Sequence, residues 1–408
     1  MLFNRIVTMP TYPTYKLGEI CELLNGFAFK SSNYVQSGLR VIRITNVKKG
    51  YVIDDEPQFY PIETQEELKK YILKKGDLLI SLTGNVGRVG ILSEELLPAA
   101  LNQRVGCLRV KDKNRVSLQY LFHLLNTNSF EKDCINSSKG IAQKNMSTEW
   151  LKEYEINLPP LATQRAIVTR IETLFAELDK AVQHLRTAQQ QLKTYRQAVL
   201  KAAFEGCENA EKHLFGELMA DVRNGYGAKP TDCGTNKLLR ISSVRAMNLN
   251  LDDFRFNNSS FDERNIIQEN DLLFTRYNGS VDLVGVCAYV PELYDTYAYP
   301  DKIIRFRPKV CNTFHSKFLQ YYINQGKARE FVRSKIKTTS GQNGISGSDI
   351  KKIEIPLPTL TEQQRIVKEI ESRLSQATAS ETYIENALQQ AEALRQSILK
   401  KAFSGELV

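Results

Sequence analysis

One stretch of the sequence decides the fold, because it occurs twice. Residues 158–206 read LPPLATQRAIVTRIETLFAELDKAVQHLRTAQQQLKTYRQAVLKAAFEG, and residues 357–405 read LPTLTEQQRIVKEIESRLSQATASETYIENALQQAEALRQSILKKAFSG. The two copies align without a gap at an offset of 199, and 18 of 49 positions are identical. A repeat at a fixed spacing indicates that one structural unit is present twice.

Weaker matches precede each copy and extend the repeat over most of the chain. LRVIRITNV at 39–47 resembles LLRISSV at 238–244, and GDLLIS at 76–81 resembles NDLLFT at 270–275. Each sequence repeat is therefore a variable domain followed by a closely matching stretch. The predicted segments are globular domains at 1–157 and 207–356 and helical segments at 158–206 and 357–408.

The matching stretch is predicted to be a long helix that pairs with another helix. It is rich in Ala, Gln, Leu, Lys and Glu, which favour helices, and its apolar residues step alternately by four and three positions. In the second copy Arg373 and Ser380 interrupt this pattern, and Thr361 with Gln364 predicts a capping box. The residues predicted to pair the helices are Ile167, Ile171, Leu174, Leu178, Leu185, Leu192, Ile366, Ile370, Ile384, Leu394 and Ile398.

We expect these two helices to pair with each other in antiparallel directions, because the second globular domain must return the chain to the start of the second helix. The alternative is two separate helices, each lying on its own domain. Short β-like runs separated by turn signals dominate the globular domains. The predicted fold class is mixed α/β, with two globular domains joined by two long antiparallel coiled-coil helices in an internal pseudo-two-fold repeat.

The composition favours an anionic partner and a reducing compartment. The 408 residues include 55 Lys and Arg against 46 Asp and Glu, which leaves a net charge of +9. No run of 18 apolar residues is present, so no membrane partner is expected. The seven cysteines are widely spaced and odd in number, which predicts buried free thiols in a cytoplasmic protein, and no Cys/His cluster predicts a metal site.

Polar loops in both variable domains have the side chains that contact DNA. Amides and hydroxyls can bind base edges, and cations can bind phosphates. A basic cluster at 327–337 precedes one such loop. The candidate DNA-contacting residues of the first domain are Lys30, Asn46, Thr83, Asn85, Arg88, Gln103, Arg104, Lys139, Gln143, Lys144 and Asn145. Those of the second domain are Arg245, Arg276, Tyr277, Asn278, Lys302, Lys337, Gln342 and Asn343.

Motifs for catalysis are weak in this sequence. It contains no phosphate-binding GxxxxGK[ST] loop, and the GxxGxxG at 84–90 is not the dinucleotide fingerprint. Asp54 or Asp55 with Glu67 and Lys69 loosely matches the residue pattern of a metal-dependent nuclease, but the second sequence repeat has no counterpart of this pattern. The nuclease, and a scaffold whose helices bind proteins, stay open as alternatives to DNA recognition.

The chain as a whole resembles the specificity subunit of Type I restriction–modification systems, which act in DNA methylation and antiphage defence. The resemblance rests on the two variable domains, each followed by a matching long helix. It rests further on the LPxLxxQxxIV starts and LKxAFxG ends of those helices and on the GDLLIS and NDLLFT strands.

The resemblance implies a role and partners. Each variable domain would be a target recognition domain that reads one half of a bipartite DNA sequence, and the paired helices would set the spacer between the halves. Two methyltransferase subunits would use S-adenosylmethionine, and two restriction subunits would use ATP and Mg²⁺. This chain would bind no cofactor and perform no chemistry itself.

Overall fold

Two compact units make up the protein in a computed structural model, which describes residues 12–140, 144–227, 231, 233–258, 262–310, 313–339 and 341–407. One unit consists of Met1–Leu185 and Asn386–Val408, and the other of Arg186–Glu385. Each unit contains one globular domain and parts of both long helices. Within the described ranges, no helix is long and apolar enough to cross a membrane.

The first globular domain is built from short strands and short helices. Its strands are β1 Thr14–Lys16, β2 Cys21–Asn25, β3 Leu39–Ile42, β4 Val47–Lys48, β5 Tyr51–Val52, β6 Phe59–Tyr60, β7 Leu78–Ser81, β8 Val89–Ile91, β9 Ala99–Leu101, β10 Val105–Val110 and β11 Glu155–Asn157. Its helices are α1 Leu17–Ile20, α2 Leu118–Leu125, α3 Asn128–Ser137 and α4 Thr148–Glu153, and the long helix α5 Leu161–Phe204 follows.

A four-stranded antiparallel sheet in the order β2-β10-β7-β8 lies at the centre of this domain. A second sheet has the order β6-β3-β9 and contains a parallel β3–β9 pair. Leu78 and Ile80 on one face of β7 pack in the cluster formed with the helices, whereas Leu79 on the other face packs against β3 and β9. Both faces of β7 are therefore buried, which explains its continuous apolar run.

The second globular domain repeats this construction. Its strands are β12 Lys212–Leu214, β13 Met219–Asn224, β14 Asn236–Leu239, β15 Val244–Arg245, β16 Asn248–Leu249, β17 Phe254–Asn257, β18 Leu272–Thr275, β19 Tyr277–Asn278, β20 Cys287–Tyr289, β21 Tyr297–Ala298, β22 Ile303–Pro308, β23 Lys337–Thr339, β24 Gln342–Gly344 and β25 Glu354–Pro356. Its helices are α6 Ser316–Ile323, α7 Gly326–Ser334 and α8 Gly347–Ile350, and the long helix α9 Leu360–Phe403 follows. The central order β13-β22-β18-β20 and the second order β17-β14-β21 match those of the first domain strand for strand.

A buried aspartate fastens the central sheet in both domains. Asp77, 2% exposed, accepts hydrogen bonds from Nε and Nη2 of Arg109 at 2.8 and 2.7 Å. Asp271, fully buried, accepts the matching bonds from Nε and Nη2 of Arg307 at 2.8 Å each. Both carboxylates also accept from the backbone N–H three residues earlier, at 2.8 Å. This two-point fork explains the Asp in GDLLIS and NDLLFT.

A buried glutamine fastens the start of each long helix. Gln164 is fully buried, donates to the carbonyl oxygens of Arg115 and Pro159 at 2.9 and 2.8 Å, and accepts from the backbone N–H of Ser117 at 2.8 Å. Gln363 makes the same three bonds, to the carbonyls of Thr313 and Pro358 at 3.0 and 2.8 Å and from the backbone N–H of His315 at 2.9 Å. These bonds give a physical reason for the Gln of LPxLxxQ.

In the first unit the beginning of α5 and the end of α9 run antiparallel. Ile171 shares a core cluster with Leu399, and Arg395 forms an ion pair with Asp179 further along α5. The Arg395 guanidinium also lies 4.3 Å from the centre of the Phe175 ring. From one contact to the next, the residue number rises along α5 and falls along α9, as expected for antiparallel helices.

The second unit contains the matching arrangement. Leu200 and Ile370 share its core cluster, and Nη2 of Arg196 lies 2.7 Å from Oε2 of Glu381 and 3.1 Å from Oγ1 of Thr378. Arg196 and Arg395 occupy the same place in the repeat, since they are 199 residues apart. The predicted mixed α/β fold with antiparallel long helices is confirmed.

The pairing face of the long helices differs from the predicted set at one residue, Leu394 on α9. Leu394 was predicted to pair the helices but is 50% exposed, while the adjacent Arg395 turns inward to Asp179. The other predicted pairing residues are buried or half-buried. Arg373 and Ser380 do not interrupt the face, because Leu374 and Glu381 occupy it instead. Because Arg395 occupies the face through an ion pair, its apolar neighbour Leu394 was the better candidate from the sequence alone.

Two smaller expectations were wrong. The capping box at Thr361 does not exist, because α9 begins at Leu360 and Oγ1 of Thr359 accepts from the backbone N–H of Glu362 at 3.4 Å. Cys233 is exposed, whereas the other five described cysteines are buried. Cys311 lies outside the described residues.

Candidate nucleic-acid interface

Three separate loops of the first domain meet at one place. Thr83 and Lys139 both form β-bridges with Asn145, and the backbone N–H of Gly84 donates to the carbonyl of Lys144 at 2.8 Å. The N–H of Leu82 donates to the carbonyl of Arg104 at 3.0 Å, which adds the loop after β9. We call residues 82–85, 103–104, 139 and 144–145 the first loop cluster. Loops that the sequence singled out separately are thus brought together.

The second domain assembles its own loops in the same way. Strands β19, β24 and β23 form a small antiparallel sheet in which Tyr277 pairs with Gly344 and Asn278 with Asn343. The N–H of Arg276 donates to the carbonyl of Lys302 at 2.7 Å, the counterpart of the Leu82–Arg104 bond. We call residues 276–279, 302, 337–339 and 341–344 the second loop cluster.

A buried hydroxyl shapes the turn that leads into each cluster. Ser81 at the end of β7 donates to the carbonyl of Asn85 at 2.5 Å and accepts from the N–H of Arg88 at 3.0 Å. Thr275 at the end of β18 donates to the carbonyl of Leu283 and accepts from the N–H of Val286 at 3.3 Å. The hydroxyl satisfies backbone groups that the turn would otherwise leave unpaired.

Most of the candidate DNA-contacting side chains, inside and outside the two clusters, are accessible. The exposed candidates are Lys30, Asn85, Gln103, Arg104, Lys139, Lys144, Asn145, Lys302, Lys337 and Gln342. The half-buried candidates are Thr83, Arg88, Arg245, Arg276, Tyr277 and Asn278. Gln143 lies outside the described residues.

Two candidates are buried and are no longer proposed as DNA contacts. Asn46 is 3% exposed, donates to Oδ1 of Asp54 at 2.7 Å and accepts from the backbone N–H of Arg43 at 2.7 Å. Asn343 is 8% exposed, donates to the carbonyl of Gly279 at 3.0 Å and accepts from the Thr338 hydroxyl at 2.7 Å. Both amides are engaged within the protein, where they hold loops in place.

Lys30 and Arg245 belong to other parts of their domains. The backbone N–H of Lys30 donates to the Tyr60 hydroxyl at 3.1 Å, beside the β6-β3-β9 sheet. Arg245 lies in the β15–β16 hairpin, where Nη1 donates to the carbonyl of Val244 at 2.9 Å. Neither residue is among the residues that define the two clusters.

The basic cluster at 327–337 lies largely on helix α7, which was not predicted. Arg329 is 8% exposed and donates from Nη1 to the carbonyl of Val284 at 2.8 Å and from Nη2 to that of Asp282 at 2.7 Å. Burial, together with the nearby Arg333, lowers the pKa of Arg329 to about 10, so it stays charged at neutral pH. Arg329 thus supports the turn beneath the second loop cluster, and Lys337 is the member of the basic cluster that lies in it.

The residues of the nuclease alternative are arranged poorly for metal binding. The Asp54 carboxylate, 1% exposed, is paired with Arg40 and accepts from Asn46 at 2.7 Å. Among the described residues, no group of three or more His, Cys, Asp or Glu side chains is placed to hold a metal ion. Asp54 is therefore a structural residue of the β3–β5 region.

Comparison with known proteins identifies the family. The Type I restriction modification DNA specificity domain matches residues 9–185 and 252–390. The chain belongs to the Type I restriction–modification specificity family. Members of this family recognise the DNA target, and they are the non-catalytic subunit of the restriction–modification complex. The predicted identity and the predicted absence of catalysis in this subunit are confirmed.

Several specificity subunits are similar over nearly the whole chain. The EcoKI specificity subunit of Escherichia coli strain K12 is 32% identical over 409 residues, which cover 95% of this chain and 87% of that protein. The StySPI specificity subunit of Salmonella potsdam is 29% identical over 97% of this chain and 89% of that protein.

Solved structures share the fold of this specificity-family member. A chain from a study of complex assembly and conformational transition in a type I system aligns with a TM-score of 0.73 at 18% identity, covering 98% of this chain and all of that one. The HsdS subunit from Thermoanaerobacter tengcongensis aligns with a TM-score of 0.58 at 18% identity, with both chains fully covered.

Gly344 is a residue of the second loop cluster that was not among the candidates identified from the sequence. It lies in the second loop cluster at the place that Asn145 occupies in the first, 199 residues earlier. A position-by-position alignment of the two variable domains would have drawn attention to it.

Proposed function

We propose that each loop cluster reads one half of a bipartite DNA target. The observation that carries the proposal is that two domains with the same strand order bring matched loops together but present different side chains there. A shared framework with different contacting groups suits a target whose two halves have different sequences. Good bidentate base contacts are worth about 1–3 kcal/mol each, which is enough to discriminate between bases.

Matched cations in the clusters suit the phosphate backbone. Arg104 and Lys302 lie at corresponding backbone positions, and Lys139 and Lys337 pair with corresponding strand residues. Phosphate contacts orient a protein on DNA without selecting sequence, so they can be the same in both domains. The residues that differ between the clusters are the better candidates for base contacts.

The long helices are proposed to set the distance between the two half-sites. Each has 44 residues, or about 66 Å at ~1.5 Å per residue. Insertion of one helical turn in both helices is expected to change the number of unread base pairs between the half-sites. The half-site sequences themselves are expected to stay the same.

The partners belong to the same proposal. Double-stranded DNA, two methyltransferase subunits and two restriction subunits are expected to act with this chain in the cytoplasm. S-adenosylmethionine, ATP and Mg²⁺ are assigned to those subunits, and this chain is proposed to bind no cofactor or metal. The family assignment and the placement of the loop clusters support this division of labour.

Half-site mutants of the assembled methyltransferase complex test the proposal. Gln342→Ala removes an exposed amide from the second loop cluster and is expected to weaken binding about 5- to 150-fold through one half-site only. The measurement is competition between duplexes that carry substitutions in one half-site at a time. Gln268→Ala, which removes another exposed amide of the same domain, is the matched control and is expected to bind normally.

Two results would contradict the proposal. Equal loss of affinity on unrelated sequences would reduce Gln342 to a non-specific contact. A complex that assembles but leaves no footprint on DNA would favour the scaffold alternative, in which the helices bind proteins and the domains bind no DNA.

A further inference from the structure

Three residues of the second loop cluster form a layered stack. The Arg276 guanidinium lies 4.7 Å from the centre of the Tyr277 ring. On the neighbouring strand, Gly344 pairs with Tyr277. A methyl group placed on Gly344 would lie 2.5 Å from both Cδ1 and Cε1 of that ring. The ring therefore rests directly on the backbone of β24.

The glycine is required for space and not for backbone conformation. Gly344 does not have a positive φ, so any L-amino acid can adopt its backbone conformation. Gly279 in the same cluster also lacks a positive φ, and a methyl group there would meet nothing within 4 Å. Of these two neighbouring glycines, only Gly344 is held in place by an aromatic ring.

The corresponding place in the first domain is filled differently. Leu82, Thr83 and Asn145 stand where the second domain has Arg276, Tyr277 and Gly344. Leu82 is 7% exposed and belongs to the core, whereas Arg276 is half-buried. The change to a large ring on one strand accompanies the change to glycine on the other, as expected if the ring needs that space.

The Arg276 guanidinium has the properties of a base-reading group. Stacking on a ring restricts the motion of a guanidinium and does not use its N–H donors, which stay available for hydrogen bonds. Among the described residues, no acidic side chain forms an ion pair with it. A planar fork of donors matches the O6 and N7 acceptors of guanine in the major groove.

We propose that Arg276, held by Tyr277, reads a guanine in the second half-site, and that Gly344 is the positioning residue that makes room for the ring. The inference rests on the proposed function, because it assigns one contact within the half-site that the second domain reads.

The test uses the full chain in the methyltransferase complex and duplexes in which each G·C pair of the second half-site is replaced in turn. Arg276→Lys keeps the charge but removes the fork, so discrimination at one G·C pair is expected to fall about 5- to 150-fold while the salt dependence of binding is retained. Gly344→Ala is expected to lower discrimination at the same pair. Gly279→Ala is the matched control and is expected to change neither.

A double-mutant cycle shows whether Gly344 acts through the ring. In a Tyr277→Ala background, Gly344→Ala is expected to add no further loss, because the ring it would displace is gone. Recognition of the first half-site and the thermal unfolding midpoint are expected to stay unchanged. Additive losses, or equal losses at both half-sites, would overturn the positioning role.

The experiment separates this inference from the proposed function. If Gln342→Ala weakens the second half-site while Arg276→Lys leaves every G·C pair equally discriminated, the guanine assignment fails and the proposed function stands. If Gln342→Ala, Arg276→Lys and Tyr277→Ala all leave the second half-site unaffected, the reading role of the second loop cluster fails as well.

Discussion

The Asp77–Arg109 fork of the first domain and the Asp271–Arg307 fork of the second make the same hydrogen bonds, whereas the loop clusters above them present different side chains. Where the first cluster has Thr83 opposite Asn145, the second has an aromatic ring over a glycine. The molecule therefore keeps its framework constant and varies its contacting groups. This difference separates residues that hold the sheet from residues that select a partner.

The framework itself differs in one respect, since the second domain buries an extra cation. Arg305 is fully buried on β22, at the place of Cys107 on β10. Its Nε donates to the Tyr299 hydroxyl at 3.1 Å and its Nη2 forms an ion pair with Asp221, while Nη1 lies 3.7 Å from Asp271 and has no hydrogen-bond partner among the described residues. Asp271 thus faces two arginines, whereas Asp77 has a single fork.

The largest expected effect comes from breaking the two forks. Asp77→Ala is expected to destabilise the first domain by about 3 kcal/mol, and Asp271→Ala the second by up to about 5 kcal/mol, because the latter unpairs Arg307 and also removes a negative charge beside the buried Arg305, which keeps its ion pair with Asp221. The free energy of unfolding is measured by denaturant titration. Fluorescence of Trp150, the only tryptophan, follows the first domain, and circular dichroism follows the whole chain.

Glu94→Ala is the control for the forks, because it removes an exposed partner of Lys75 and is expected to cost under about 1 kcal/mol. Equal costs for the two aspartates would show that Arg305 does not depend on Asp271.

The next effect is a pH dependence that comes from a buried histidine of the first domain, at a position where the second domain has a tyrosine. His123 is buried on α2, with Nε2 3.8 Å from Oε1 of Glu172, and Tyr321 takes its place on α6. Burial and the nearby Arg395 lower the pKa of His123 to about 4. As the pH falls from about 6.5 to 4, the unfolded chain binds a proton that the folded chain does not, so folding loses up to about 3 kcal/mol.

His123→Tyr, which copies the second domain, is expected to abolish that loss. Denaturant titrations at pH 7 and pH 4.5, followed by Trp150 fluorescence, compare the variant with the natural chain. An unchanged difference between the two pH values would mean that His123 does not titrate in this range.

The smallest effect sharpens the comparison of the two faces of α9. Leu388 is half-buried, whereas Leu394 is 50% exposed. Leu388→Ala is expected to destabilise the first unit by about 1–2 kcal/mol, and Leu394→Ala by less than about 0.5 kcal/mol. Both changes alter helix propensity equally, so the difference reports the pairing face alone. A larger cost at Leu394 would place Leu394 in the pairing face after all, as the heptad pattern predicts.

Much of the fold was predictable because the repeat carries information twice. The strands predicted in GDLLIS and NDLLFT coincide with β7 and β18, and the long helices were placed within a few residues. The presence of Glu381 and Arg395 in the pairing face was not predictable, because they occupy it through ion pairs that depend on the opposite helix. Heptad reasoning counts apolar residues and cannot know that a charge has a partner.

For the loop clusters, residue type identified the right loops but not the right side chains. Thr83 and Asn145, or Tyr277 and Gly344, are brought together by β-bridges between distant segments, which no local pattern shows. Asn46 and Asn343 have the same chemistry as the accessible candidates, yet their amides bond inward. Whether a loop amide serves the protein or a partner depends on its neighbours in space.

The buried Gln164 and Gln363 have a consequence for how such proteins change over time. Every partner of these two amides is a main-chain atom, so the bonds place no demand on the identity of the side chains around them. A globular domain can accumulate substitutions, or be replaced by a homologous one, and still form these hydrogen bonds with its helix. The attachment is inherited unchanged while the binding preference is free to evolve.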